Sequence, residues 1–313
     1  MEIRIEKYTP ELKTEWDEFI SSSRNGTFLF YRDFMEYHSD RFNDFSLLFF
    51  NENELLGVLP GNVDEDTLYS HQGLTYGGLI LSGSVRQKTV LDIFDELRLY
   101  LKEWDITNLI YKAIPHIYHK MSCEEDLYAL FRNDAKLIGR SVSSCIPVRS
   151  KIAYSELRNR GIRKANSHHL TVKRGFKFRQ FWKILTQNLL HRFGVAPVHS
   201  LSEIEYLRAL FPRNIHLFEV YNDDKCVGGC VVFETDKVAH IQYISASPEG
   251  RELGALDYLF DYLIQNMYSK KPFFEFGIST ENSGKVLNEG LIAQKEGFGG
   301  RSIVYDVYQL IIS

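Results

Sequence analysis

The chain repeats itself, and that repeat constrains the fold more than any other feature. Phe50-Asn51-Glu52-Asn53-Glu54-Leu55-Leu56-Gly57 and Tyr221-Asn222-Asp223-Asp224-Lys225-Cys226-Val227-Gly228 share one grammar: aromatic, Asn, acidic, polar, charged, two apolar residues, Gly. They lie 171 positions apart, just over half of 313 residues. Apolar runs flank each segment, Phe45–Phe49 and Val58–Leu59 in the first copy, Leu217–Val220 and Cys230–Phe233 in the second. Two β-type runs joined by Asn/Asp-rich residues predict a hairpin.

The correspondence continues downstream. A second acidic turn (Asp64-Glu65-Asp66; Glu234-Thr235-Asp236) leads into a run with a histidine, His71 or His240. An amphipathic helix follows in each half: Leu91, Phe94, Leu97, Leu101 and Trp104 in one, Leu256, Leu259, Phe260, Leu263, Ile264 and Met267 in the other. Each helix leads to a strand-like run, Leu109–Ile114 or Phe273–Gly277. Each half therefore reads helix–helix–β–β–β–helix–β–helix–β. Antiparallel hairpins before a β-helix-β crossover imply an α/β (α+β) fold, a mixed, mostly antiparallel sheet flanked by helices. The expected domains are 1–150 and 151–313, joined where the apolar run Val142–Val148 ends.

Length suffices for two cores, and 44% hydrophobic with 25% charged residues is a globular composition. The N-terminus lacks an apolar targeting segment and no window spans a membrane, so the expectation is a cytosolic protein. Cys226 and Cys230 sit four apart in a strand-like run, hence on one face, but lack further ligands at metal spacing. The reading is reduced cysteines and no metal. Charge is uneven: residues 151–179 hold nine Lys/Arg against one Glu, in a chain of net charge −4. That block is either a solvated segment or an attractor of phosphate-bearing ligands.

In order and spacing, several segments carry a resemblance: Asn25–Phe28, Ser70–Gly78, Ile114–His119, Arg160–Ala165, Phe274–Ser279 and Lys295–Gly299. With the element order, they make the chain similar to GNAT-type acyltransferases of the FemAB-like group, which carry the GNAT fold in tandem. The resemblance covers essentially the whole chain. It implies metal-free transfer of an acyl or aminoacyl group from acetyl-CoA or aminoacyl-tRNA to an amine or hydroxyl. The two-helix arm of some tRNA-using relatives has no counterpart here.

The resemblance places a donor pyrophosphate where the central strand meets its helix, on backbone N–H groups at a helix N-terminus. The matching stretch, Ser247–Leu256, keeps Arg251 and Gly254 of the Gln/Arg-x-x-Gly-x-Gly/Ala pattern. Leu256 replaces the final small residue, and Glu249 and Glu252 add negative charge. Ser245, Ser247, Gly250, Arg251, Gly254 and Ala255 are the candidate cofactor contacts; a plain helix-capping turn is the alternative. The first half's Tyr76–Ser84 lacks the Arg/Gln-led pattern, so that half reads as a degenerate, supporting copy.

Acyl transfer needs a base, a polarised carbonyl and a proton for the leaving group. His240 and Tyr243, three apart in the central strand and so expected on opposite faces, are alternative candidates. Glu275 lies between aromatics on a strand; if buried, its pKa should rise, which suits proton transfer. Lys295 occupies the place of the Fem-type lysine that the resemblance links to developing negative charge, with Gln294 replacing the usual Phe. Ser279, Thr280 and Asn282, at a strand end, are candidate acceptor contacts or helix caps. Arg160, Arg163 and Lys164 share a helical face and form an anion-binding candidate. The function expected is N-acyl transfer, from acetyl-CoA or another acyl-CoA, to a small amine-bearing metabolite such as an amino sugar or a cell-wall or surface-polysaccharide precursor. Aminoacyl-tRNA-dependent transfer to a peptidoglycan precursor and a non-catalytic binding role are the rivals. Nothing points to DNA, and the sequence leaves the oligomeric state open.

Overall fold

A computed structural model describes residues 2–312. The chain folds as two compact units. Unit 1 runs through Val142 and takes back Thr280–Val286 and the chain from Val304; unit 2 holds Ser143–Ser279 and Leu287–Ile303. The joint is thus displaced from 150 and crossed three further times. Strand pairing is the physical reason for the last crossing, described below.

In unit 1, β1 (Arg4–Lys7) and α1 (Lys13–Ser22) precede the hairpin β2 (Leu47–Asn51) and β3 (Glu54–Leu59). A short hairpin follows, β4 (Asn62–Asp64) and β5 (Thr67–Tyr69), then β6 (Ile80–Leu81), α2 (Gln87–Glu103), β7 (Asn108–Lys112), α3 (Glu125–Arg132) and β8 (Lys136–Pro147). One sheet has the order β1-β2-β3-β6, and β4, β5 and β7 are neighbours in another. The stripe anticipated on α2 is its core face: Phe94, Leu97 and Leu101 are buried against Leu47, Phe49 and Leu109, while Trp104 is half exposed.

Unit 2 begins with α4 (Glu156–Ser167) and β9 (Thr171–Gly175), followed by α5 (Arg179–Phe193) and α6 (Leu201–Leu210). The hairpin β10 (Ile215–Asn222) and β11 (Lys225–Glu234) leads to β12 (Val238–Ala246), α7 (Pro248–Leu253), α8 (Ala255–Tyr262), β13 (Phe273–Ile278), α9 (Glu289–Gly297) and β14 (Arg301–Ile311). Its strand order is β9-β10-β11-β12-β13-β8, antiparallel except for β12 and β13. Leu259, Phe260, Leu263 and Ile264 anchor the core with Cys230, Val232, Ile241, Phe274 and Phe276. Beyond Val304, β14 pairs with β7 from Val307↔Lys112 to Ile311↔Asn108, so the C-terminal strand completes a sheet of unit 1.

The repeat holds at the level of register. Phe49 faces Gly57 and Phe50 faces Leu55, leaving Leu56 as a bulge; Val220 faces Gly228 and Tyr221 faces Cys226, leaving Val227. The unit 2 bulge overturns one expectation, because an extra residue reverses the alternation of faces. Cys230 enters the core, whereas Cys226 turns to Glu219 on the other face, 3.7 Å from its carboxylate.

Candidate active site

The parallel pairing of β12 with β13 lasts only three residues, Val238↔Phe273, Ala239↔Phe274 and His240↔Glu275, after which the strands part. The side chains at the fork are polar and buried. Glu275 is fully buried and accepts hydrogen bonds from His240 Nδ1, from the Ser143 hydroxyl and from the Gly277 N–H at 2.9 Å. Burial pushes its carboxyl up, but the His240 charge and these three hydrogen bonds outweigh that and hold it below the ordinary glutamate value. The rise expected from burial alone is therefore reversed. His240 Nε2 lies 3.1 Å from the Gln242 side-chain amide.

A second bulge shapes the fork. Val232 faces Ile241 and Val231 faces Tyr243, so Gln242 is the extra residue in β12. Three-residue spacing predicts opposite faces for His240 and Tyr243; with the bulge they share one face, while Ile241 turns into the core. Tyr243 is held apart from the His–Glu pair. Its hydroxyl lies 2.5 Å from His199 Nδ1, and its ring meets Trp182 edge-on. Burial raises its pKa to about 12, so it serves as a neutral hydrogen-bonding group.

Lys295 is buried on α9 and donates to the carbonyls of Gly277 and Ile278 at 2.7 and 2.8 Å and to the Ser279 hydroxyl at 2.8 Å. All three ammonium protons are used. Gly277, at φ +77°, makes the turn these bonds clamp, and a side chain there would be strained. The chain of support runs Lys295, the Gly277 turn, Glu275, His240. Burial lowers the Lys295 pKa to about 8, partly opposed by the Glu275 charge. On the other face of the sheet, Ile241, Ile244, Phe260, Phe276, Leu291, Phe298, Gln294 and Lys295 line a small apolar cavity in the fork.

Residues 159–282 match the family of GNAT acetyltransferase domains. The chain carries a GNAT domain. Over its length it is similar in fold to FemX, at 13% identity, with 99% of this chain and 97% of that chain covered and a TM-score of 0.68. A tandem GNAT protein from the clavulanic acid biosynthesis pathway matches at 10% identity, 100% and 99% coverage and a TM-score of 0.52. The C-terminal domain of a putative lysylphosphatidylglycerol synthetase from Agrobacterium fabrum matches at 10% identity, 96% and 92% coverage and a TM-score of 0.61. These identities establish the fold, a tandem GNAT architecture. No curated protein sequence matches significantly. The matched domain is of an acetyltransferase family, and FemX shares the fold of the whole chain.

The other candidates in the GNAT domain fall into separate places. Ser247 caps α7 by accepting the Gly250 N–H at 3.0 Å, and Ser245 accepts from Asn188 at 2.7 Å. Arg251 folds back onto the Ala246 carbonyl at 2.8 Å and Asn188 at 3.3 Å. Gly254, at φ +77°, joins α7 to α8 beneath α4: a Cβ there would lie 2.5 Å from the Gly161 carbonyl oxygen. Ala255 is buried in the core below it. Glu249 is paired with Lys225, and Glu252 lies exposed in the next turn. Arg160, Arg163 and Lys164 are exposed on α4, with Arg163 paired to Glu156.

Ser279 joins the Lys295 clamp, but Thr280 and Asn282 belong to unit 1, where Thr280 accepts the Val142 N–H at 3.3 Å. Ser143, Gln242, His199 and Asn188 are site residues that sequence reasoning missed, and no local motif marks them. Unit 1 has its own cavity of about 280 Å3, lined by Tyr8, Arg32, Glu36, Phe42, Asp44 and His71 among others. Its guanidinium is taken by Glu36 at 3.0 Å, Asp44 at 2.7 Å and Ser46 at 3.1 Å. Among the described residues, no group of His, Cys, Asp or Glu could hold a metal ion, and no helix is long and apolar enough to cross a membrane.

Proposed function

We propose that unit 2 catalyses N-acyl transfer by direct attack of an amine on an activated carbonyl seated in the fork between β12 and β13. The observation that carries this reading is the buried His240–Glu275 pair at the point of divergence. A carboxylate on Nδ1 fixes the tautomer that leaves Nε2 as proton acceptor, provided Gln242 turns its amide or yields to substrate. In the step itself the amine nitrogen bonds the carbonyl carbon and passes its proton to Nε2. Backbone N–H groups along Tyr243–Ser245 polarise the carbonyl oxygen, and the carrier leaves with a proton. The apolar cavity lies on one face of the sheet and the His–Glu pair on the other. Donor and acceptor then meet from opposite sides. The acceptor class remains that of the sequence reading, an amine-bearing cytosolic metabolite such as an amino sugar or a cell-wall or surface-polysaccharide precursor.

Acyl-CoA is the first donor reading. Aminoacyl-tRNA is the second, and one observation favours it: Gly254 is packed under the Gly161 carbonyl and Arg251 is turned to the strand end, so the loop that would grip a pyrophosphate is occupied by the protein itself. A carrier held elsewhere avoids that obstacle. Thermal unfolding with acetyl-CoA, and separately with aminoacyl-tRNA, distinguishes the two. A ligand at 100 times its Kd stabilises the native state by about 2.7 kcal/mol. A response to acetyl-CoA that Arg251→Ala removes supports the acyl-CoA reading. A salt-sensitive response to aminoacyl-tRNA alone supports the second, and silence to both would contradict a transferase using either carrier.

A further inference from the structure

Between Leu157 and Ser202 the sequence has ten Lys/Arg and no Asp or Glu. Arg158 pairs with Asp257 and Arg163 with Glu156, but among the described residues Lys177, Arg179, Lys183 and Arg192, on and beside α5, have no ion-pair partner. Where α5 ends, the same surface turns apolar. Leu190, Phe193, Val195 and Val198 are 53%, 62%, 52% and 77% exposed. The segment is set outward by its two ends. Gly194, in the left-handed region at φ +69°, terminates α5 with nothing within 4 Å of a Cβ placed there. Ser200 opens α6 with a capping box to Glu203. Immediately before that cap, His199 bonds Tyr243 on the His240 face of the sheet.

Exposed apolar side chains in the loop, following a run of sequence with unpaired cations and no acid before Glu203, match the requirements of an anionic bilayer: the loop enters the acyl boundary and the cations sit among headgroup phosphates. RNA would use the cations as well, and Phe193 offers a ring to a base, but Val195 and Val198 have none, and exposed aliphatic side chains suit an acyl boundary better than bases. We infer that the α5–α6 loop, with the cations on and beside α5, is a docking surface for anionic phospholipid membranes. It brings the acceptor side of unit 2 to the bilayer. This goes beyond the proposed chemistry and does not depend on which donor is used.

The test is co-sedimentation of the full chain with phosphatidylglycerol/phosphatidylcholine vesicles and with phosphatidylcholine vesicles, at low and high salt. Wild type should bind the anionic vesicles preferentially and lose binding as salt rises. The triple variant Phe193→Ser/Val195→Ser/Val198→Ser and the double variant Lys183→Glu/Arg192→Glu should each weaken binding by roughly tenfold or more. Because the variants could perturb folding, Val195→Trp gives an independent readout. Its added indole fluorescence should shift to the blue with anionic vesicles and stay unshifted with neutral ones. No binding to anionic vesicles, or binding that the triple variant leaves intact, overturns the inference. Binding to bulk tRNA but not to vesicles, lost in the double variant and kept in the triple, reassigns the surface to RNA.

Discussion

In unit 1 the path that follows the repeated hairpin is cut in two, Thr67–Tyr69 and Ile80–Leu81, with residues 70–79 between; in unit 2 it is one strand, Val238–Ala246. Up to that point the copies agree. Ser82 donates to Leu56 at 3.0 Å just as Ser247 donates to Val227 at 2.9 Å. The short parallel ladder also recurs, with Tyr69↔Ile110 standing where unit 2 has His240↔Glu275. The register thus puts Tyr69, not His71, in the place of His240; His71 lies two residues on, in the left-handed region at φ 67°.

A lysine serves each copy, partly buried at 112 and buried at 295, to different ends. Lys112 donates to the carbonyls of His71, Gln72 and Leu74 at 3.0 to 3.1 Å, and so fastens the inserted loop. Lys295 fastens a turn that supports a carboxylate–histidine pair. The lesson is that one fold closes its central strands with backbone in the first unit and leaves a chemically equipped fork in the second.

The largest expected effect separates the two ladders. Glu275→Gln should lower acyl transfer by about 10²- to 10⁴-fold, whereas Tyr69→Phe should leave it within about twofold, in steady-state assays. Next come the lysines. Lys295→Met and Lys112→Met each strand three acceptors and should each cost about 3 kcal/mol in denaturant unfolding. Only the variant at 295 should also lose activity per folded molecule.

The buried carboxylates give opposite pH signs. Glu275 is depressed, so it contributes stability above the ordinary carboxylate range that is lost as pH falls through its folded value. Asp126, bonded by the Tyr111 hydroxyl at 2.5 Å, is raised by burial to about 6. The stability it contributes is present below its unfolded value of about 3.9 and lost as pH rises through about 6. Unfolding profiles should therefore lose part of their acid limb in Glu275→Gln, and their decline between about pH 4 and 6 in Asp126→Asn. The smallest contrast is between Gly254, the N-cap of α8, and Gly83, in the turn before α2. Gly254→Ala meets the Gly161 carbonyl at positive φ and should destabilise by about 1–3 kcal/mol. Gly83→Ala has open space and should stay within about 0.5 kcal/mol.

Much of the fold was legible because hairpin grammar and helix periodicity are local. Phe50–Gly57 and Tyr221–Gly228 announce equivalent hairpins, and the stripes on α2 and on α8 with its extension show their core faces. Bulges were not legible, since one extra residue at Val227 or Gln242 leaves no mark in composition yet reverses every face beyond it. For that reason the sequence separates His240 from Tyr243 and joins Cys226 to Cys230. Glu275, His240 and Lys295 could be nominated by residue type. Their connection could not: it passes through Ser143, 132 residues before Glu275, and through backbone groups of the Gly277 turn.

On the proposed function, transfer chemistry resides in the unit 2 fork. This is tested most directly by following amine-dependent release of the carrier, thiol from acetyl-CoA or free tRNA from aminoacyl-tRNA, across a panel of amino sugars. Wild type, Glu275→Gln and Tyr69→Phe are compared at matched folded concentration. Release should need the amine, fall at least about a hundredfold in Glu275→Gln and persist in Tyr69→Phe. Release that survives Glu275→Gln, or that is lost in Tyr69→Phe, would contradict the proposed function.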